Sequence, residues 1–237
     1  MSIRFYEVGG CVRDSLLGLP SKDIDYVVVA LSYEAMRSHL VEQGFKIYLE
    51  KPEFVTIRCR VPIGHPLRLR VKDTDFVLAR KDAPTGDGRR PDYVEAGTLI
   101  DDLARRDFSV NSIARDPLTG ELFDYHQGIS DLQQKLLRFV GDPAKRIEED
   151  GLRVLRGFRF MITKGLQPTP ETHQALLSPE AAQRLQCVSI ERVREELEKM
   201  LSHSTPDSLL LLAGLPEHTR KMIFREGLRL TPTLKQD

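Results

Sequence analysis

Asp23 and Asp25 are separated by a single residue, Ile24, at the start of a β-branched run, Tyr26-Val27-Val28-Val29. Side chains alternate along a strand, so both carboxylates fall on one face and Ile24 turns to the other. Two carboxylates that close repel each other, and a divalent cation relieves the repulsion. Oxygen donors suit Mg2+, and a metal-assisted phosphoryl transfer uses such a pair to activate a hydroxyl and stabilise a leaving pyrophosphate. An Asp-x-Asp tripeptide alone is more often a turn former, so its neighbourhood decides. Just upstream stands Gly9-Gly10-Cys11-Val12-Arg13-Asp14. Glycines between a strand and a helix let backbone N–H groups approach a phosphate, and the helix N-terminus adds positive potential. Arg13 can pair with that phosphate, and Asp14 suits a first helical turn.

Two further clusters carry polar chemistry. In Asp101-Asp102-Leu103-Ala104-Arg105-Arg106-Asp107-Phe108-Ser109-Val110-Asn111, Arg106 offers a guanidinium fork to phosphate. Asp107 and Asn111, one helical turn apart, can together read ribose hydroxyls. In Glu149-Asp150-Gly151-Leu152-Arg153 and the residues after it, Asp150, Arg153, Arg156 and Arg159 form an i,i+3 series. Asp150 only accepts hydrogen bonds at neutral pH and Arg153 only donates them, so together they can match the donor–acceptor edge of a base.

The elements that must position these residues follow from periodicity and punctuation. Residues 3–8 read as a strand stopped by the glycine pair, followed by a helical turn through Leu17. Asp25 to Ala30 reads as a buried strand. Ser32 caps a helix over Tyr33 to Gln43 that Gly44 closes. Strands are expected at 45–49, 54–61 and 67–79, then a loop of turn composition at 81–92 and a helix near Leu99 to Val110. From about residue 143 the pattern is helical only: Ala144 to Thr163, a helix beginning at Thr169-Pro170, and Ser189 to about Ser202. Further helices are expected near Ser208–Leu215 and Arg220–Glu226. Strands first and helices afterwards give an α+β catalytic domain over 1–141 and a small all-α domain over 142–237.

The motifs and their order resemble one family. GGCVRDSLLGLPSKDIDYVVV is similar to the strand–turn–helix–strand signature of class II tRNA nucleotidyltransferases, the CCA-adding enzymes, and of bacterial poly(A) polymerases. Asp101 to Asn111 resembles the family's RRD-x-x-x-N motif, and Glu149 to Phe160 its ED-x-x-R helix. Ser189 to Leu197 resembles its structural ER-x-x-x-E element. Four ordered motifs are far more specific than one. The resemblance implies a DNA polymerase beta-like head with a mixed sheet and flanking helices, followed by a helical neck. It implies Asp23 and Asp25 as metal ligands and Asp75 as a third catalytic carboxylate, although Asp73 shares a face with Asp75 by alternation. It assigns nucleotide binding to Gly9, Gly10, Arg13, Arg106, Asp107, Asn111, Asp150, Arg153, Arg156 and Arg159, and selection of CTP and ATP to Asp150 and Arg153. The loop at 81–92, with Arg89 and Arg90, matches the family's flexible loop. Relatives commonly carry Pro where this chain has Gly151, and glycine there loosens a first helical turn by up to about 1 kcal/mol relative to Ala.

The expected partners are CTP, ATP and a tRNA or other RNA 3′ end, and the expected reaction is CCA addition or repair, with oligo(A) or poly(A) synthesis as the alternative. A non-catalytic RNA-binding relative would have no use for two facing carboxylates. Family members continue well past the ER-x-x-x-E element, so contact with the acceptor end of the RNA alone is expected, and a homo-oligomer or partner chain that replaces the rest of the RNA grip is the competing expectation. Lys plus Arg equals Asp plus Glu at 35 each, so any polyanion surface must be local. Three scattered cysteines argue against a disulfide framework or structural zinc. The charged N-terminus and the lack of a long apolar run argue for a cytoplasmic protein without membrane contact.

Overall fold

The computed structural model describes residues 3–20, 24–82, 94–225 and 227. They divide into two compact units that part between Gly141 and Asp142.

The first unit is built on a seven-stranded mixed sheet. In chain order its elements are β1 (Arg4–Val8), α1 (Gly10–Leu16), β2 (Asp25–Val29), α2 (Tyr33–Glu42), β3 (Lys46–Lys51), β4 (Thr56–Arg60) and β5 (Asp73–Leu78). There follow β6 (Arg80–Asp82) and β7 (Val94–Ala96), which pair as a small ribbon, then α3 (Leu99–Ala104), β8 (Ile113–Arg115), β9 (Leu122–Asp124) and α4 (Gly128–Gln133). The sheet order is β3-β4-β5-β2-β1-β8-β9. Only β2 and β5 run parallel, with Tyr26 level with Phe76 and Val28 with Leu78.

Alternation divides the sheet into two faces. On one, Tyr26, Val28, Ile57, Cys59 and Phe76 pack against Met36 and Leu40 of α2, whose N-cap Ser32 accepts the Ala35 N–H at 3.1 Å. On the other, Tyr6, Val8, Val27, Val29 and Ala114 pack against Leu99 and Leu103 of α3. That second cover does not include β3 and β4, whose side chains on this face are exposed or half-buried.

Two expectations shift in detail in this unit. The strand foreseen over 67–79 is shorter, because Pro66–Leu69 forms a 3-10 turn with proline at its start. The helix foreseen from Leu99 to Val110 ends at Ala104, and a separate 3-10 turn covers Ser109–Asn111. That turn packs so close to α4 that a Cβ on Gly128 would lie 2.2 Å from the Ser109 carbonyl oxygen.

The second unit is helical: α5 (Pro143–Glu149), α6 (Leu152–Lys164), α7 (Pro170–Leu176), α8 (Pro179–Gln186), α9 (Ile190–His203), α10 (Thr205–Gly214) and α11 (Glu217–Ile223). Leu155, Phe158 and Phe160 of α6 are buried, as are Val193, Leu197 and Met200 of α9. The single helix expected over 144–163 is two, broken at Asp150-Gly151. The cause is a close approach of chains. A Cβ on Gly151 would stand 2.3 Å from the carbonyl oxygen of Arg184 in α8, so only glycine fits there. Helix α8 was not anticipated; its Ser178-Pro179 start is an ordinary cap-plus-proline signal. No helix among the described residues is long and apolar enough to cross a membrane.

Candidate active site

Gly9 joins β1 to α1 at φ +74°, a backbone conformation that glycine alone adopts readily. A Cβ at this position would also sit 3.0 Å from Nη1 of Arg106, so the turn and the RRD segment touch. Arg13, buried on α1, donates from Nη1 to Oδ1 of Asn111, and its Nη2 lies 2.8 Å from Asp14 Oδ1. Asn111 Nδ2 donates to Asp107 Oδ1 at 3.1 Å, and the same oxygen accepts the Phe108 N–H at 2.8 Å. Gly9, Arg13, Arg106, Asp107 and Asn111 therefore form one contiguous cluster drawn from two distant stretches of sequence. Cys11 adds only bulk to it: the thiol donates to the Val8 carbonyl at 3.4 Å, and burial pushes its pKa up.

Behind this cluster lies a group to which no role was given from sequence. Asp102 is fully buried, and its two oxygens receive Arg105 Nη2 at 2.5 Å and Arg106 Nη2 at 3.0 Å. Burial pushes its carboxyl pKa up, but the charges and hydrogen bonds of Arg106 and Arg105 together outweigh this and hold it below the usual aspartate range. The spacing held the signal, since an acid three and four residues before two arginines can meet both on a helix. Glu7, also fully buried, was missed as well. It lies 2.8 Å from Arg70 Nε and 2.6 Å from Arg115 Nη2, and Arg115 Nη1 donates to Ser15 Oγ of α1 at 3.0 Å.

The carboxylates come next. Asp25 opens β2 opposite Val8, one residue from the Gly9 turn. The β2–β5 register begins at Tyr26 and Phe76, so Asp75 stands level with Asp25 on the neighbouring strand and on the same face. Asp73 lies two residues further along. Each acid on β5 has a cross-strand arginine from β4: Arg58 Nε reaches Asp75 Oδ1 at 2.9 Å, and Arg60 Nε reaches Asp73 Oδ1 at 2.9 Å. Asp23, Arg89 and Arg90 lie outside the described residues. Among those described, no three His, Cys, Asp or Glu side chains form a cluster that could hold a metal.

In the second unit the break at Gly151 places Asp150 in an extended conformation ahead of α6. It therefore does not continue the series of Arg153, Arg156 and Arg159 on that helix. Asp150 Oδ1 instead accepts the Leu152 N–H at 3.0 Å, capping α6, while its Oδ2 receives Arg192 Nη2 at 2.8 Å. Arg153 Nη1 lies 2.6 Å from Glu149 Oε2 and donates to the Arg146 carbonyl at 2.8 Å. The guanidiniums of Arg156 and Arg159 stand 5.6 and 4.3 Å from the Phe160 ring centre. Arg159 also binds buried Glu196 at 2.5 Å. Arg192 and Glu196 sit four residues apart on α9, so one face of that helix grips both Asp150 and Arg159.

Comparison with known proteins accords with this arrangement. Residues 5–138 match the poly A polymerase head domain, and residues 165–222 match the probable RNA and SrmB-binding site of polymerase A. Among curated relatives, the multifunctional CCA protein of Xanthomonas oryzae pv. oryzae is 39% identical over 217 residues, 88% of this chain and 48% of the relative. That of Xylella fastidiosa strain M23 is 38% identical over 217 residues, 88% of this chain and 47% of the relative. Among solved structures, the Bacillus stearothermophilus CCA-adding enzyme in complex with CTP superposes with a TM-score of 0.74 at 31% identity, covering 92% of this chain and 50% of that one. The Thermotoga maritima CCA-adding enzyme complexed with tRNA_CCA gives a TM-score of 0.72 at 26% identity, covering 94% and 49%. The chain thus spans about half the length of the curated relatives it matches. With more than half of its residues matching the head domain and the strand order, turn and motif cluster described above, this chain belongs to the poly A polymerase head-domain family.

Proposed function

We propose that this chain is a template-independent RNA nucleotidyltransferase that adds CMP, AMP or both from CTP and ATP to the 3′ end of tRNA, releasing pyrophosphate. The observation that carries the reading is the meeting of the Gly9 turn, Arg13, Arg106, Asp107 and Asn111 beside Asp25, with Asp75 level on the next strand. Gly9, whose own N–H donates to the Ile113 carbonyl at 3.3 Å, would let the phosphates approach closely, and the Gly10 N–H, with Arg13 and Arg106, would hold them. Asp107 and Asn111 already share a hydrogen bond, which aligns an acceptor and an amide for ribose hydroxyls.

The carboxylates suit a hard divalent cation, Mg2+, because Asp25 and Asp75 offer only oxygen. Asp23 and Asp25 would be its ligands and Asp75 the third acid. A cation bound there supplies charge stabilisation for the attacking 3′ oxygen and for the departing pyrophosphate. What the chain itself contributes is placement: strands β2 and β5 fix the acids, and the β1–α1 turn fixes the phosphates relative to them.

Base choice falls to Asp150 and Arg153, with Arg156 and Arg159 on the same helix. Arg192 orients the acceptor and Glu149 the donor, so the pair is preorganised rather than assembled on the nucleotide. We assign the first unit the role of catalytic head and the second that of helical neck, working in the cytoplasm. The description of the matched family, a poly A polymerase head, favours one second reading: oligo(A) or poly(A) synthesis on other RNA ends.

The deciding experiment supplies each NTP separately to tRNAs ending before CCA and after CC, and to oligo(A). The expected result is C incorporation on the first, A on the second and none on oligo(A). Extension of oligo(A) by ATP alone would select the second reading, and incorporation on none of the three would overturn both.

A further inference from the structure

On the sheet face that carries Asp25 and Asp75, strands β3 and β4 are uncovered. The register assigns Arg58 and Arg60 of β4 to this face, together with Lys46 and Lys51 of β3, which pair with Arg60 and Thr56. Arg58 and Arg60 are 49% and 52% exposed at the side chain. The acids on this stretch are Asp73 and Asp75, each answered by one arginine. Glu50 points to the other face, where Tyr33 and Arg37 bind it. Lys46 and Lys51 have no carboxylate partner among the described residues, so the strip keeps a net positive charge in a chain whose overall charge is zero.

One irregularity gives the strip an aromatic. The β3–β4 register shifts between Ile47 and Leu49, leaving Tyr48 as the extra residue of a bulge. Bulges recur where a strand must re-aim a side chain. Tyr48 is 51% exposed, and its hydroxyl lies within electrostatic reach of Arg60. Cations that follow a backbone, interleaved with an exposed aromatic on which a base can stack, are how proteins hold single-stranded nucleic acid without reading sequence. Protection of an edge strand accounts for the lysines and for a bulge, but does not call for an exposed aromatic beside arginines on the face that bears the acids. Edge strand β3 lies two strand spacings, about 10 Å, from β5 and Asp75, a reach that a few unpaired nucleotides span.

We propose that the open face of β3 and β4 is a binding platform for the single-stranded 3′ end of the RNA, with Tyr48 stacking on a base and Lys46, Lys51, Arg58 and Arg60 meeting the phosphates. The proposal rests on the nucleotidyltransferase reading for its partner, an RNA 3′ end, but it is a statement about binding and is tested without turnover.

The test uses the whole chain, without nucleotide or metal, and two labelled RNA hairpins, one with a four-nucleotide 3′ overhang and one blunt. The double variant Lys46→Glu/Lys51→Glu is expected to bind the overhang hairpin at least tenfold more weakly at low salt, with a flatter salt dependence. Tyr48→Ala is expected to lose about fivefold or more on the overhang hairpin and nothing on the blunt one. All three side chains are exposed, and matching unfolding temperatures verify the folds; Lys46→Gln/Lys51→Gln repeats the measurement should charge reversal disturb the strand. Wild-type affinity and salt slope in the folded charge variants, or equal losses by Tyr48→Ala on both hairpins, would overturn the platform. Overhang binding by a chain that incorporates no nucleotide would sink the catalytic reading and leave the platform standing. Normal incorporation with an unchanged KM for RNA in the charge variants would do the reverse.

Discussion

At the scale of single residues, the site depends on side chains held in place by their neighbours. Asp25 faces the turn and Asp75 stands level with it, so Asp25→Ala should abolish incorporation in a protein that unfolds at the wild-type temperature, as should excess EDTA on the wild type. Residual activity above a few per cent in either case is incompatible with the proposed metal chemistry. Arg153 is tied to Glu149, and removing it should cost base choice more than triphosphate affinity. Comparison of kcat/KM for the four NTPs should show Arg153→Ala losing on the order of 1–3 kcal/mol of its discrimination, the worth of one bidentate base contact. Unaltered discrimination would remove Arg153 from the reading. Asp102 is a different case, for its role is to hold Arg106 in place. Asp102→Asn leaves two guanidiniums beside an uncharged buried amide, and loss of one member of a buried pair costs about 3–5 kcal/mol. Because the folded carboxyl titrates below its ordinary range, its contribution is complete above about pH 4 and disappears as pH falls through the depressed value. Thermal unfolding of wild type and Asp102→Asn should therefore differ by a constant amount from pH 5 to 7 and converge only in acid; a difference that changes between pH 5 and 7 would disprove the assignment.

At the scale of elements, the instructive position is Gly151. Judged by helix propensity, Gly151→Ala should stabilise the start of α6 by up to about 1 kcal/mol. The backbone of α8 reverses that sign, because the new methyl would stand 2.3 Å from the Arg184 oxygen. Overpacking of that severity should destabilise by about 2 kcal/mol or more, measurable by urea unfolding, and a stabilised variant would show that α5, α6 and α8 are not packed as described. The same contact explains what sequence did not disclose. The β-branched run of β2, the Ser32 and Thr169 caps and the glycine turn are local signals, and all are legible. The break at Asp150 is set by α8, more than thirty residues away in sequence, and no periodicity within 144–163 reports it. Candidate site residues fare similarly. Gly9, Arg13, Arg106 and Asn111 were named from motifs, but that Arg13 reaches Asn111 follows only from folding α1 against the 3-10 turn. Glu7 escaped notice because its partners, Arg70 and Arg115, lie far along the chain and nothing near it signals an ion pair.

At the scale of the whole molecule, the balance of charge limits how RNA is held. The sequence offers basic runs at Arg105-Arg106 and from Arg138 to Lys164, and either could pass for an RNA surface. In the fold, Arg105 and Arg106 answer Asp102, Arg138 answers Asp131, Arg146 and Arg153 share Glu149, and Arg159 answers Glu196. These cations are largely committed to carboxylates, so among the described residues the two runs add little to the β3–β4 strip as a surface for RNA phosphates. Each phosphate neutralised contributes roughly 0.9 to the slope of log affinity against log salt on a duplex and roughly 0.7 on a single strand. A small set of contacts near the 3′ end thus predicts weak binding and a slope no steeper than about 4. It also predicts that a minihelix carrying only the acceptor arm is extended as well as the matching full tRNA. The rival picture is an assembly in which a second copy adds contacts along the rest of the tRNA. Extension rates on minihelix and tRNA at two protein concentrations separate the pictures: equal rates at both support contact with the RNA end alone. A strong preference for full tRNA that grows with protein concentration would show that two chains share the RNA and that a single chain's charge balance does not set the grip.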